Sequence, residues 1–401
     1  MISRLGKKKT LLFIFFPLVF IYFSLGLLLL HWSLPFQVSS IPDFIGRFAL
    51  ASGGQLAYRD FSFEYPPLFF FILLIESAAA GVFKFMPYPE SVLAIHLFLF
   101  LPIVSTFYLV LVPEKRIIST IFLLLLTTPL MGASFDLFAV VLNVMALLLF
   151  SRKKYLLSLL LLSLASGIKI YPLIYLPLIL LYIRSFSLSL KYFVFFSVCV
   201  ALPFIFVISY GGGGGLLDFF RFHLARGIQS ESVLASPYFL FSEIFGSKKE
   251  FYLRNGAYEI SYGSLDWLIS LVGILAFVSL CLNLFFRTGR RWLGRIQGEI
   301  NREVLFDLCL CLTLFLLIFS KVLSIQFILW FLLLIPFVSD GLFKRIYLPA
   351  LLVTILTTIG AGIITYYHQF TVVPIIIRNI ILIFITYRSV LTSRLTLLGV
   401  K

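Results

Sequence analysis

Apolar residues run along this chain in long unbroken stretches. They neither alternate as in a half-buried strand nor thin out to one face as in a surface helix. The run from Leu11 to Leu30 carries no charge at all. A helix that crosses the hydrocarbon core needs about 20 apolar residues, and the sequence offers about ten to twelve runs of that kind. Spanning or re-entrant segments are expected at 10–31, 66–86, 91–112, 117–133, 135–150, 155–168, 171–184, 191–209, 264–286, 304–319, 322–339, 346–366 and 371–387. Continuous runs exclude a transmembrane β-barrel, whose strands alternate. The pattern predicts an all-α, polytopic transmembrane helix bundle of about 11–13 spanning or re-entrant helices. It forms a single integral membrane domain over 1–401. The longest polar segments are 32–65, 210–263 and 287–303, and none is long enough for a separate soluble domain.

Composition agrees. Hydrophobic residues make up 61% of the 401 and charged residues 12%, with a mean hydropathy of +1.09. Soluble domains carry about 25% charge, so too little polar surface exists here to coat a water-soluble globule. The net charge of +15 sits in short loops: Arg4/Lys7/Lys8/Lys9, Arg152/Lys153/Lys154, Arg287/Arg290/Arg291/Arg295, Lys344/Arg345 and Arg388/Arg394. That is the positive-inside distribution, which orients helices, and the charge reads as orientation in preference to a nucleic-acid patch. The basic N-terminus and the run behind it read as a first span, with the N-terminus cytoplasmic; no small-residue cleavage site follows. Cys199, Cys281, Cys309 and Cys311 lie in or beside apolar runs without loop partners or metal-ligand spacing, and read as small buried hydrophobes.

With Arg152–Lys154 inside, alternation from there to the C-terminus places every strongly basic loop inside. Lys169–Pro172, 210–263, Ser320–Gln326 and Tyr366–Gln369 then lie outside, and the first loop, 32–65, also lies outside. Four spans between 66 and 150 break this count, so a short or re-entrant segment is expected within 66–133.

Most of the polar residues worth explaining fall on the outside. Pro42–Leu68, PDFIGRFALASGGQLAYRDFSFEYPPL, holds Asp43, Arg47, Arg59, Asp60 and Glu64 between the first two apolar runs. A protein that needs only to span has no use for three carboxylates there; acid/base chemistry at the membrane surface does. IGRFALASG has the spacing of a short interfacial helix, near whose start Asp43 is either a helix cap or a reactive carboxylate. Pro66 and Pro67 suit a helix start and hold Tyr65 extended, which fixes Glu64 and Tyr65 at the mouth of the second span. Arg59 and Asp60 read as a ligand contact or as a surface ion pair of little energy. Lys169, in SGIKIYPLIYLPL, is a cation placed to hold a phosphate or an interfacial lysine. Asp136 is a second carboxylate or a cap. Glu76 and Lys84, inside the second span, pair with each other or serve a function, or Lys84 snorkels to the interface. Gly211–Gly215 reads as a flexible joint, followed by Arg221, His223, Arg226, Gln229 and Glu231 as a helical cluster facing either a polyanionic headgroup or solvent. Lys321, Ser324 and Gln326 interrupt two apolar runs and read as a ligand-contact set. No ligand spacing dictates a metal; a divalent cation is left open, and no other cofactor is indicated.

Four stretches in order, YRDFSFEYPPL, SGIKIYPLIYLPL, ARGIQSES and SKVLSIQFILW, resemble landmarks of glycosyltransferase family 87, within the GT-C superfamily of polytopic membrane glycosyltransferases. The sequence departs from the family's commonest form at Ile325, where proline is usual, and at Phe327, where tyrosine is usual. The resemblance implies a mannosyltransferase that uses a polyprenyl-phosphate sugar donor and a glycan or glycolipid acceptor among the membrane lipids. It further implies a catalytic aspartate in the first external loop, at Asp43. Chemistry then assigns Lys321, Arg226 and Lys169 to the phosphate, and Glu64 or Asp60 to the acceptor or a metal, with Arg59, Tyr65 and Gln326 as further substrate contacts. The competing expectation is a transporter or flippase of a lipid-linked sugar, which calls for inverted repeats and paired broken helices.

Overall fold

The computed structural model describes residues 16, 17, 21, 46, 47, 49–51, 53–80, 96–132, 136–183, 185–246, 251–254, 257–295, 301–366 and 372–398. Asp43, Lys84, His368 and Gln369 lie outside them. Helices dominate. α1 spans Pro67–Ala80, opening on a proline whose missing N–H costs nothing at that position. A π turn, His96–Phe100, leads into α2, Leu101–Leu111. α2 stops where Val112 turns extended ahead of Pro113, as the residue before a proline must. α3 covers Ile117–Gly132, α4 Asp136–Ser151 and α5 Tyr155–Ile168. Pro172 and Pro177 break the next run into a 3-10 turn, Tyr171–Tyr175, and α6, Leu176–Leu181. α7 runs Phe186–Ser209 and α8 Gly213–Ala225. α9, Ser236–Phe245, α10, Asp266–Arg295, and α11, Arg302–Phe319, follow. α12 is the short piece Ile328–Leu332 between 3-10 turns at Ile325–Phe327 and Ile335–Phe337. α13, Asp340–Tyr366, and α14, Val373–Leu398, complete the chain. A small antiparallel sheet in the order β1-β3-β2 interrupts the helices: β1 Ile228–Gln229, β2 Tyr252–Arg254 and β3 Ala257–Ile260. The all-α expectation missed it.

Four stretches among the described residues are helical, long and apolar enough to cross a membrane: Phe186–Ser209, Gly263–Phe286, Asp340–Ile359 and Val373–Thr392. Their outward faces are hydrocarbon, with Val194, Leu202 and Ile205 exposed on α7 and Leu271, Ile274 and Leu275 on α10. Exposed apolar surface on this scale marks contact with lipid. α11 stands at the centre, buried nearly throughout from Leu305 to Ile318, which is what a helix apolar on all sides requires. The remaining apolar helices are shorter, 14 residues in α5 and 16 in α3 and α4.

The bundle has two chemically distinct ends. At one, Arg116 is 3% exposed and donates to the carbonyls of Pro336 (3.0 Å) and Val338 (2.6 Å), and pairs with Asp340, which Lys115 also meets. At the other, Asp136 and Lys169 meet. α4 descends from the Asp136 end and α5 returns to it, with Ser158 bonded to the Ala146 carbonyl at 2.7 Å. Phe100 lies 6.2 Å from Phe138, so α2 starts at the Asp136 end and delivers Arg116 to the other. Leu68 packs on Gly167, so α1 starts there too. α1 and α2 therefore run the same way, so the strict alternation of successive spans does not hold between them. Cysteines placed at Lys153 and at Arg221 are expected to label from opposite sides of a sealed vesicle, against a background of native cysteines of which Cys281, Cys309 and Cys311 are buried. Labelling from one side overturns this arrangement.

Candidate functional site

The site begins with an aromatic plug. Phe63, 2% exposed, contacts the rings of Tyr58, Phe61, Tyr65, Phe69 and Phe70 at 5.5–6.1 Å. The Tyr58 hydroxyl donates to the Tyr65 carbonyl. The segment ahead of α1 is thus held by packing, and Glu64 and Tyr65 are fixed at the helix mouth. Tyr58 itself is in the left-handed region, at φ 68°. The glycine run serves the same packing. Gly213–Gly215 form the first turn of α8, and a Cβ on Gly215 would collide with the Tyr58 backbone. Close approach, rather than the expected flexible joint, accounts for glycine at 215.

Around the plug lies a ring of charge. Arg47 pairs with Glu64, its guanidinium 5.7 Å from the Phe63 ring and 5.8 Å from that of Tyr65. The Lys169 ammonium lies 4.5 Å from the centre of the Tyr65 ring and 2.8 Å from Asp136 Oδ1. The Trp330 indole N–H donates to Asp136 Oδ2 at 2.7 Å, and the Trp330 ring stacks on both Tyr171 and Phe327 at 4.1 Å. Asp136 is wholly buried and Lys169 8% exposed, so each charge depends on the other.

A second group closes the ring. His223 Nε2 lies 2.9 Å from the Glu64 carbonyl oxygen; a carbonyl only accepts, so Nε2 carries the proton. Desolvation holds this imidazole below its ordinary pKa; Arg226 and Lys169 push it the same way, while Glu64 opposes. Arg226 and Lys321 are likewise lowered by desolvation, with the carboxylate of Glu259 pulling each back up. Lys321 donates to the Leu224 carbonyl at 3.0 Å, the Gln229 N–H donates to the Lys321 carbonyl at 2.8 Å, and the Gln229 side chain reaches the Ser324 hydroxyl at 3.4 Å.

Glu64, Tyr65, Lys169, Arg226 and Lys321 therefore come together, with Asp136 among them. Gln326 is half-buried on the turn Ile325–Phe327, next to the stacked Phe327. Arg59 and Asp60 stand apart. They pair with each other at 2.8 Å, Asp60 also accepts the Leu56 N–H, and these contacts, the Arg59 bond first, hold the Asp60 carboxyl down at about 2. Their neighbours are Tyr210 and Gly211. The expected helical cluster from 221 to 231 divides among four surroundings, because α8 ends at Ala225. Arg221 meets Asp218 at 3.2 Å in the open, His223 and Arg226 turn to the site, and Gln229 belongs to β1. Glu231 faces α14. Glu259, 5% exposed on β3, was missed; its signal is a lone acid in AYEI, where neighbouring positions pack inward. Among the described residues no three His, Cys, Asp or Glu side chains gather as a metal would need.

Where Glu231 meets α14, Arg378 donates to the Glu231 carbonyl, and the Asn379 amide donates to the Ser232 carbonyl (3.1 Å) and the Ser236 hydroxyl (2.8 Å). Burial pushes the Glu231 carboxyl up to about 7, against the pull of Arg378. A carboxyl that holds its proton more tightly folded than unfolded stabilises the fold at low pH. The contribution is full below about pH 4.5 and is lost as pH rises through about 7. The melting temperature is expected to fall between about pH 5 and 7.5, and to fall less in Glu231→Gln; equal slopes would clear Glu231 of the effect.

No family model matches this chain, and no curated protein matches it.

Proposed function

We propose that the protein is a multi-pass membrane glycosyltransferase of the GT-C type, with a cytoplasmic N-terminus and the Lys169 end of the bundle facing outside. It transfers a hexose, mannose by the resemblance to family 87, from a polyprenyl-phosphate donor to a glycan or glycolipid acceptor. The observation that carries the reading is the convergence of Glu64, Tyr65, Arg226 and Lys321 at one end of a lipid-facing bundle. Transporter sites lie near the bilayer midplane; these groups lie at an end.

Asp43 completes the site as the general base. It precedes Arg47 by four residues, so chain length alone keeps it within about 14 Å of the Arg47 backbone. In the reaction Asp43 takes the proton of an acceptor hydroxyl. The oxygen so freed bonds to the anomeric carbon as the bond from that carbon to the phosphate oxygen breaks, and the configuration inverts. Polyprenyl phosphate leaves with the electron pair, its charge met by Arg226 and Lys321 in a partly dehydrated setting. Phosphate is a good leaving group, so no strong acid is required. Lys169 shapes the site through Tyr65 while neutralising Asp136. The test is a transfer assay with purified protein, radiolabelled polyprenyl-phosphate-mannose and a lipid and glycan extract. Label passing to a new product supports the reading. Protein-dependent movement of the intact lipid across a liposome bilayer, without transfer, replaces it with the flippase.

A further inference from the structure

Two buried atoms at the proposed phosphate cations have no partner among the described residues. The Nε–H of Arg226 and Oε1 of Glu259 are both shielded from solvent and make no hydrogen bond with any described residue. They belong to groups of opposite charge close enough to act on each other, yet among the described ion pairs none joins them. Burying a donor and an acceptor unpaired is costly, so one free donor and one free acceptor remain here for a bound group to satisfy.

The chain holds Glu259 in position for that group. β3 is paired on both sides, Glu259 facing Gln229 of β1 and Tyr252 of β2. Residue 227 is glycine, and a Cβ there would come 2.6 Å from Glu259 Oε2 and push the carboxylate aside. Lys321 acts on the same carboxylate. Two cations thus share one anion, which leaves a net positive charge. The ligand chemistry this fits is an anion that also bears hydroxyl groups.

We propose that Glu259 is a substrate-binding residue that accepts a hydrogen bond from a sugar hydroxyl of the donor whose phosphate Arg226 and Lys321 hold. The proposal rests on the donor reading above and adds to it a residue that tells glycosylated lipid from bare lipid phosphate. A bridging water would satisfy both atoms equally well, and the experiment separates the two.

Binding of polyprenyl-phosphate-mannose and of bare polyprenyl phosphate is measured on the full chain in nanodiscs, for wild type, Glu259→Leu, Gly227→Ala and Arg226→Gln. Loss of one hydrogen bond between a hydroxyl and a charged group is expected to weaken the mannosylated lipid about tenfold or more in both Glu259→Leu and Gly227→Ala. Bare polyprenyl phosphate is expected to bind those two variants at least as well as wild type, since an anion near the cations has been removed or displaced; that retained binding also shows the variants fold. Arg226→Gln is expected to weaken both lipids. Unchanged affinity for the mannosylated lipid in Gly227→Ala and Glu259→Leu means that water bridges the pair and overturns the proposal, as does equal weakening of both lipids in Gly227→Ala. Wild type that binds neither lipid overturns the donor reading itself.

Discussion

Lys169→Met is expected to destabilise the protein by about 3–5 kcal/mol, the usual cost of stranding one member of a buried ion pair. Asp136 would keep its indole bond from Trp330 at 2.7 Å but lose the ammonium at 2.8 Å, in a place with no access to water. The melting temperature in detergent measures this. Asp136→Asn combined with Lys169→Met is expected to recover much of the loss, because a neutral amide accepts the same indole bond and no charge is left alone. If the single variant melts with wild type, the pair is not what joins α4 to the turn after α5. If the double variant is as unstable as the single one, charge is not the reason for the loss.

Asp43→Asn is expected to lower transfer by about 10²–10⁴-fold, the range that a positioned base contributes, while leaving donor binding and expression intact. The measurement is the transfer of label from polyprenyl-phosphate-mannose by wild type and variant side by side. Normal turnover in the variant removes Asp43 as the base. Loss of donor binding together with turnover would make it a binding residue instead.

Much of the helical order is legible in the apolar runs because lipid imposes length on them. The run at 155–168 becomes α5 with the same ends, and those at 117–133 and 135–150 become α3 and α4 within a residue or so. Prolines are legible for the same local reason: Pro66–Pro67 open α1, and Pro172 and Pro177 break the run after Lys169. What depends on register between helices is hidden. Asp136 and Lys169 stand 33 positions apart, and only the antiparallel packing of α4 on α5 brings them to one end. Arg59 and Asp60 looked equivalent to Glu64 in sequence, yet the turn closed by Asp60 on the Leu56 N–H directs them toward Tyr210. The small sheet escaped notice because strands of two to four residues leave almost no periodicity to read.

Trp330 places a chromophore inside the site. Its indole N–H is bonded to Asp136, its faces are covered by Tyr171 and Phe327, and Lys169 lies 5.5 Å from the Phe327 ring. The energy of an indole transition follows the local field, and here that field is set by one ion pair a few ångströms away. Whatever shifts Lys169 relative to Asp136 therefore shifts the colour and yield of Trp330 emission, and with Trp32, Trp267 and Trp292 replaced by phenylalanine that emission becomes an optical gauge of the charge pair.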